Sequence, residues 1–260
     1  MKIFSWNCRG LGRPQTVRTL VDAIRTHRPQ IVCLLETKKD EVGWDLMKWK
    51  LGFQNCFVVA SRGKAGGLAV LWSEDVDLRI RNYTDCHVDM EISNSQFFRL
   101  TLFYGDPMVS RRKYSWTLLR RLRTISDVPW IVIGDFNEVV GDNEVEGVRS
   151  RQLWQMNNFR DALEDCGLAD VGFRGFPFTF SNHREGVAEM RARSDRAVAD
   201  SRWRSLFPSA MVFHHHLLAS DHQLILLDTE GSYYKRRKKL FRFEAMWMDH
   251  PDFEKVVTNY

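Results

Sequence analysis

Six stretches of the sequence end or begin an apolar run on a side chain able to do chemistry. "FSWNCRG" closes one run on Asn7, "VCLLETK" closes another on Glu36, and "LTLFYGDP" closes a third on Tyr104. In "VIGDFNE", Asp135 and Asn137 follow Ile131, Val132 and Ile133, with Gly134 between. "RSDRAVAD" opens on Asp195, and "LLASDHQLILL" sets Asp221 and His222 just before a final run. Taken singly, each has a bland reading. Asn7 before Arg9-Gly10 suits a turn, Glu36 suits a surface acid beside Lys38, G-D-x-N suits an Asx-turn, and Asp-His suits a loop hydrogen bond. Taken together they have a chemical logic. Acids and amides without cysteine ligands suit a hard, oxygen-preferring ion such as Mg²⁺. An imidazole with a second acid suits proton transfer or stabilisation of transition-state charge. The combination describes metal-assisted phosphoester hydrolysis.

Strand-like runs must carry these groups. "KIFSWN", "QIVCLLE", "QNCFVVA", "GGLAVLW", "CHVDMEI", "FFRLTLFY", "PWIVIGD" and "LILLDT" are short and apolar, several of them continuously so, as in strands buried within a layered fold. Helical spacing lies between them. Val17, Leu20, Val21 and Ile24 follow Pro14, which suits a first helical turn. "RKYSWTLLRRLRTI" and "RQLWQMNNFRDALEDCG" predict two more helices, the second stopped by Gly167. Strands in both α/β alternation and antiparallel-looking succession predict an α/β sandwich, sheets inside and helices outside. Ligand sites in such folds sit at strand ends.

The chain of 260 residues is long enough for one large sandwich, and its 44% apolar content supplies a core. No apolar run approaches the roughly 18 residues of a membrane span, and "MKIFSWNCRG" reads as a strand rather than a signal peptide. Five dispersed cysteines without a C-x-x-C pair read as free thiols in a reducing compartment. A net charge of +5 and a pI near 9.0 favour a polyanionic partner. One domain is expected over residues 1–230. A basic tail over 231–260 follows, with five successive cations from Lys235 to Lys239. "FHHH" is not a metal tract, because neighbours in a strand point to opposite faces. "GKAGG" lacks the P-loop spacing and reads as a turn before "LAVLW". No G-x-S-x-G motif is present.

The ordered series W-N-x-R-G, L-x-E-T, strand-final Tyr, G-D-F-N, S-D-R and S-D-H resembles the endonuclease/exonuclease/phosphatase superfamily. "GGLAVLW", "FYGDP", "PWIVIGDFNE", "CGLADVGFRGFPFTFSN" and "SDRAVADSRWRSLFP" are similar to the apurinic-endonuclease-like domain of plant LINE-type (non-LTR) retrotransposons. "FRFEAMWMDHPDFEKVV" resembles the segment that leads from that domain to a reverse transcriptase, and the chain is expected to be the endonuclease part alone. The resemblance spans nearly the whole chain. Three positions depart from it. Ser194 stands where leucine is usual, Leu224 where proline is common, and Phe180 where tryptophan is usual.

The resemblance implies a four-layered α/β sandwich with two central mixed β-sheets flanked by helices. It implies a Mg²⁺-dependent DNA endonuclease, with Mn²⁺ as a possible substitute, that nicks one strand, works as a monomer in the nucleus after cytoplasmic synthesis, and has no membrane partner. Glu36 would be the principal metal ligand, with Asn7 beside it and Asp221 completing the acidic cluster. Asp135 and Asn137 would orient and activate the attacking water, and Tyr104 would contact the scissile phosphate. His222, oriented by Asp195, would stabilise the charge developing on phosphorus. The alternatives are another phosphoesterase of the superfamily and a catalytically decayed remnant that binds nucleic acid.

Overall fold

The computed structural model describes residues 1–63, 65–147, 151–182, 184 and 189–231. The expected basic tail, from residue 232 onwards, lies outside the described residues. In chain order the strands are β1 (Lys2–Asn7), β2 (Ile31–Leu35), β3 (Asn55–Val59), β4 (Leu68–Trp72), β5 (Leu78–Thr84), β6 (His87–Ser93), β7 (Phe97–Tyr104), β8 (Trp130–Asp135), β9 (Val145–Gly147), β10 (Ala169–Asp170), β11 (Phe173–Arg174), β12 (Phe180–Ser181), β13 (Met190–Ala192), β14 (Asp195–Ala199), β15 (Met211–His215) and β16 (Leu224–Asp228). The helices are α1 (Pro14–His27), α2 (Trp44–Leu51), α3 (Arg112–Ile125), α4 (Leu153–Asp165) and α5 (Ser201–Leu206).

Two large mixed sheets stack face to face. The first has the order β11-β15-β16-β1-β2-β4-β3, and the second β10-β14-β8-β7-β6-β5. Period-two alternation sorts each strand's side chains between layers. Ile3, Cys33, Val70, Met90, Leu100, Ile133 and Leu227 point inward and form the core between the sheets. Phe4, Trp6, Val32 and Leu34 point outward and meet Leu20 of α1 and Trp44 of α2. On the other side Phe103, Trp130 and Val132 meet Trp116 and Leu119 of α3 and Phe159 and Leu163 of α4. The result is the expected four-layered α/β sandwich. Strands buried on both faces explain the continuous apolar runs.

Local chemistry sets the helix ends. Pro14 occupies the first turn of α1, and Arg28 closes it in the left-handed region, its N–H donating to the Ile24 carbonyl. Strands β7 and β8 are parallel neighbours, so the chain must cross back between them, and α3 makes that crossing. Among the described residues no helix is long and apolar enough to cross a membrane. All five cysteines are free thiols. His214 and His215 diverge as strand neighbours should, the first stacking on Phe173 and the second against His27.

Candidate active site

Sheet register brings the six strand ends to one edge of the sandwich. Parallel pairing of β1 with β2 sets Asn7 opposite Leu35, next to Glu36. Parallel pairing of β7 with β8 sets Tyr104 opposite Asp135. Antiparallel pairing of β14 with β8 sets Asp195 opposite Asp135 from the other side. Strand β16 runs antiparallel to β1, so His222, two residues before it, arrives beside the end of β1. There the Trp6 indole N–H donates to the His222 carbonyl at 3.1 Å.

Hydrogen bonds and one longer ion-pair contact join the candidate residues. The Tyr104 hydroxyl donates to Glu36 Oε1 at 2.8 Å. Asn7 Nδ2 donates to Glu36 Oε1 at 3.1 Å and to Asp135 Oδ2 at 3.0 Å. His222 Nε2 lies 3.8 Å from Asp135 Oδ2, and its Nδ1 lies 2.9 Å from Asp195 Oδ2. Asn137 Nδ2 donates to the Gly105 carbonyl at 2.8 Å, holding the loop after Tyr104 against the loop after Asp135. Asn7, Asp135, Asp195 and His222 are buried. Asp221 stands at the margin and reaches the others through Arg9, whose Nη1 is 3.4 Å from Asp221 and whose Nε is 3.8 Å from Glu36.

Two motifs form the turns of their bland readings and still face the candidate site. Asp135 Oδ1 accepts from the Asn137 N–H at 2.9 Å, so G-D-x-N is an Asx-turn that also presents Asp135 Oδ2 to the site. Asn7 Oδ1 accepts from the Arg9 N–H at 3.2 Å, a turn that aims the amide nitrogen at the two acids. Glu36 lies one residue beyond its strand, in the left-handed region at φ 49°. Among the described residues, five that are not glycine have positive φ. Arg9, Glu36, Lys38 and Asn137 are at this site, and only Arg28 is elsewhere. Such backbone persists where surrounding contacts over-determine it. The "GKAGG" turn supplies some of those contacts: the Gly67 and Gly66 carbonyls accept from the Thr37 and Lys38 N–H groups. A Cβ on Gly67 would sit 2.4 Å from Thr37 Oγ1. A Cβ on Gly134 would sit 2.0 Å from the Phe103 carbonyl, so a side chain there would part β7 from β8.

Electrostatics separates the acids. Burial and the neighbouring Asp195 carboxylate push the Asp135 carboxyl well above its ordinary range, although His222 opposes this. Burial alone would depress His222, but Asp195, Asp135 and Asp221 outweigh it and raise the imidazole above its ordinary value. Burial would raise Glu36. The hydrogen bonds from Asn7 and Tyr104, with the charges of Arg9 and Lys38, hold it below the ordinary carboxylate range instead. Burial and the charges of Glu36 and Asp135 raise the Tyr104 phenol, which stays a proton donor.

Two places offer ligands for a metal. Ligand atoms of Asp135, Asp195 and His222 lie within 4.8 Å of one another. That trio is a poor fit, because Nδ1 is already committed to Asp195 and a ring held protonated has no lone pair to give. Glu36 fits better. It is ionised and reachable, Asp221 carries a carboxylate on the far side of Arg9, and two cations crowd its free oxygen, Lys38 Nζ at 3.3 Å and Arg9 Nε at 3.8 Å, while Asn7 meets it with the amide nitrogen and braces it rather than offering an oxygen. Such a donor set suits a hard divalent ion.

A family model for the endonuclease/exonuclease/phosphatase family matches residues 4–222. The chain belongs to that family. Solved structures with the same fold include an AP endonuclease from Leishmania major, at TM-score 0.69 and 17% identity over 87% of this chain and 86% of that one. A 3′-5′ exonuclease from Neisseria meningitidis gives TM-score 0.68 and 16% identity over 88% of this chain and 99% of that one. The endonuclease domain of TRAS1, a telomere-specific non-LTR retrotransposon, gives TM-score 0.62 and 16% identity over 87% and 97%.

Three positioning residues in this family member escaped the sequence reading. Thr179 is fully buried, and its Oγ1 accepts from the Asp195 N–H at 2.9 Å while its carbonyl accepts from the Gln223 N–H at 2.6 Å. Ser220 Oγ donates to the Asn7 carbonyl at 2.8 Å and accepts from the His222 N–H at 3.1 Å. Ser194, a departure from the usual leucine, donates from Oγ to Asp195 Oδ2 at 3.1 Å. Ser220 and Ser194 each precede a site acid, which is the signal that could have found them. Thr179 had none, because its partners Ala192, Asp195 and Gln223 are distant in sequence. A cavity of about 600 Å³ adjoins the site. Phe176, Phe178, Phe180, Arg184 and Arg191 line it, and it reaches Asp221 and His222.

Proposed function

We propose that this chain is a divalent-metal-dependent phosphodiesterase that nicks one strand of DNA, as the endonuclease domains of plant LINE-type retrotransposons do. One observation carries the reading: the series of contacts from Tyr104 through Glu36, Asn7, Asp135 and His222 to Asp195. It sets a proton acceptor, a proton donor and an oxygen-rich cation site side by side at one edge of the sandwich. Structural likeness to an AP endonuclease and to a retrotransposon endonuclease domain supports the same reading.

The residues divide the work by charge. Asp135, ionised near neutral pH, accepts the proton of the attacking water, which Asn137 orients. His222, kept protonated by Asp195, donates to a non-bridging phosphate oxygen as negative charge grows there. Tyr104 donates its hydroxyl hydrogen to the phosphate from the opposite side. Glu36 would hold the ion, with Asn7 beside it and Asp221 across Arg9. When bound there, Mg²⁺, or Mn²⁺ in its place, supplies charge neutralisation at the phosphate and the departing oxygen. The aromatic cavity beside His222 receives a nucleotide next to the scissile bond, with Arg184 facing its phosphate. The catalytic unit is a monomer covering residues 1–230, acting on DNA in the nucleus. Residues 231–260 are a basic connector.

Supercoiled plasmid tests the proposal directly. Conversion to the open-circular form with Mg²⁺ or Mn²⁺, and not with EDTA, is the expected result. Persistence of the supercoil with every metal sinks it. The likeness to a Neisseria 3′-5′ exonuclease favours a second reading, cleavage at 3′ ends. A 3′-phosphorylated hairpin processed faster than plasmid is nicked would select that reading.

A further inference from the structure

Helices α3 and α4 cover β7, β8 and β14 on the outer face of the second sheet. Strand β5, the edge strand, turns Arg79, Arg81 and Tyr83 to solvent. Between β5–β6 and the C-terminal half of α3 lies a cavity of about 590 Å³, built entirely from residues outside the catalytic site. Its charge is unbalanced. Arg79, Arg81, Arg99 and Arg121 contribute four guanidinium groups, against the carboxylates of Asp89 and Glu91. Arg99 Nε is bound to Asp89 at 2.8 Å and Arg81 Nε lies 3.4 Å from Glu91. Arg79 and Arg121 have no ion-pair partner among the described residues. His87 is fixed between Asn82 at 2.6 Å and Thr84 at 2.9 Å.

The floor of this cavity also holds a spare donor. Arg99 is 1% exposed, with its guanidinium over the Trp130 ring and its Nη1 donating to the Leu122 carbonyl at 2.8 Å. Its Nη2 has no hydrogen-bond partner. Buried donors are normally paired, and this one lies beneath the cavity floor, where its positive charge adds to that of the rim arginines.

The cavity's orientation identifies its ligand. The β5–β6 turn lies at the catalytic end, where the Tyr104 N–H donates to the Cys86 carbonyl at 2.8 Å. From Thr84 the groove runs along β5 to Arg79, five residues or about 17 Å at strand rise. That length exceeds one phosphate and suits a run of backbone. Tyr83 pairs with inward-facing Val88 and meets Phe57 edge-on at 4.9 Å, so its ring lies on the other face of β5 and the groove is lined by charge. We infer that this groove is a second, non-catalytic anion site that takes the phosphodiester backbone of a single nucleic-acid strand where it leaves the catalytic edge.

The test reads binding in EDTA, so it is independent of turnover and of the catalytic reading. Full-chain protein is titrated against a labelled oligothymidylate across a salt series. Arg79→Gln/Arg121→Gln removes two exposed charges, and circular dichroism checks that the fold is retained. The slope of log K against log salt is expected to flatten by about 1.4, about 0.7 for each phosphate no longer neutralised on a single strand. A charge-matched pair on α1, Arg18→Gln/Arg25→Gln, is expected to leave the slope near its wild-type value. An unchanged slope in the Arg79/Arg121 variant overturns the inference, as does equal flattening by the α1 pair. A third arm adds inorganic phosphate and reads thermal protection. Protection lost in the Arg79/Arg121 variant while its oligonucleotide slope is unchanged would assign the groove to a free phosphate, and would overturn the strand.

Discussion

One strand serves two buried charge clusters that behave in opposite ways. Asp195 on β14 faces the catalytic edge, while Arg196, the next residue, turns to the other face as strand geometry requires. On Arg196's side Arg193 and Arg196 meet Glu144 and Asp170 in a closed lattice. Arg193 spans Glu144 at 2.8 Å and Asp170 at 2.8 Å, and Arg196 spans Glu144 at 2.6 Å and Asp170 at 3.2 Å. Two cations match two anions, and Glu144 and Asp170 are both held below the ordinary carboxylate range against the cost of burial. On Asp195's side four carboxylates, Glu36, Asp135, Asp195 and Asp221, share His222, Arg9 and Lys38, and the last two are substantially exposed. Asp135 is driven up instead of down. Both clusters have a buried centre, Arg193 and Arg196 in one and Asp135, Asp195 and His222 in the other. What distinguishes them is balance: a matched lattice holds structure, and an excess of acid leaves groups poised for a cation and a proton.

The sharpest way to break this contrast is at Asp135. Asp135→Asn removes the proton acceptor and is expected to lower kcat for plasmid nicking by at least about 10³-fold, leaving DNA affinity within a few-fold. A carboxyl whose pKa is raised in the folded state costs stability once pH exceeds that pKa. The same substitution is therefore expected to keep or raise Tm at neutral pH. A variant that cuts at the wild-type rate, or one that is strongly destabilised, would place Asp135 with the structural lattice.

Glu36→Ala is expected to lose about 100-fold or more in nicking at saturating Mg²⁺ while retaining its circular dichroism spectrum. Asn137→Ala is expected to fall comparably through misplacement of the water. Undiminished nicking by Glu36→Ala would move the metal elsewhere, with the Asp135–Asp195–His222 trio the next place to look.

His222 sharpens the comparison through pH. Its raised pKa means the protonated form persists beyond the ordinary imidazole range and is lost as pH rises further. The wild-type rate should fall on an alkaline limb displaced upward from that range, and His222→Gln should remove that limb. The acid limb belongs to ionisation of Asp135, displaced upward from ordinary carboxylates, and should survive in His222→Gln. Identical alkaline limbs in the two proteins would assign the titration to another group.

The lattice should respond in stability instead. Glu144→Gln leaves Arg193 and Arg196 sharing Asp170, and breaking such a buried set costs about 3–5 kcal/mol. A drop in Tm of about 10 °C is expected, measured by calorimetry. Glu144 has a lowered folded pKa, so its contribution is present above the unfolded pKa and lost as pH falls through the folded one. The Tm gap between the two proteins should narrow in acid.

The smallest expected effect is at the chain's basic end. Strand β16 ends at Asp228 opposite Lys2, at the far end of β1 from Asn7. Truncation after Glu230 is expected to leave nicking intact and improve solubility. It should flatten the salt dependence of DNA binding by about 0.9 for each phosphate that the tail neutralises. An unfolded truncate, or an unchanged slope, would overturn that expectation.

Legibility from sequence followed the range of the forces involved. The strand from Phe97 to Tyr104 and the helix from Arg112 to Ile125 were readable to the residue, because apolar spacing and turn chemistry act over a few positions. The candidate site residues were readable as types at strand ends. Strand β5 was not, since "LRIRNYT" is an edge strand whose arginines and tyrosine face solvent and break the apolar signal. Helix α2 was not, since Leu46 and Trp49 point outward and blur its apolar face.

What the sequence by itself determined was the set of buried runs, the helices between them and the chemistry placed at their ends. Only the tertiary structure decided which ends meet. Asn7 reaches Asp135 across 128 residues, and Asp195 lies opposite Asp135 while Arg196 does not. It also decided that Glu144 and Asp170 neutralise arginines while Asp135 is left in excess. Local propensity is blind to these pairings. They follow from strand order and register, which are set when two sheets bury their common face, and a shift of one residue in that register would turn each side chain to the other side.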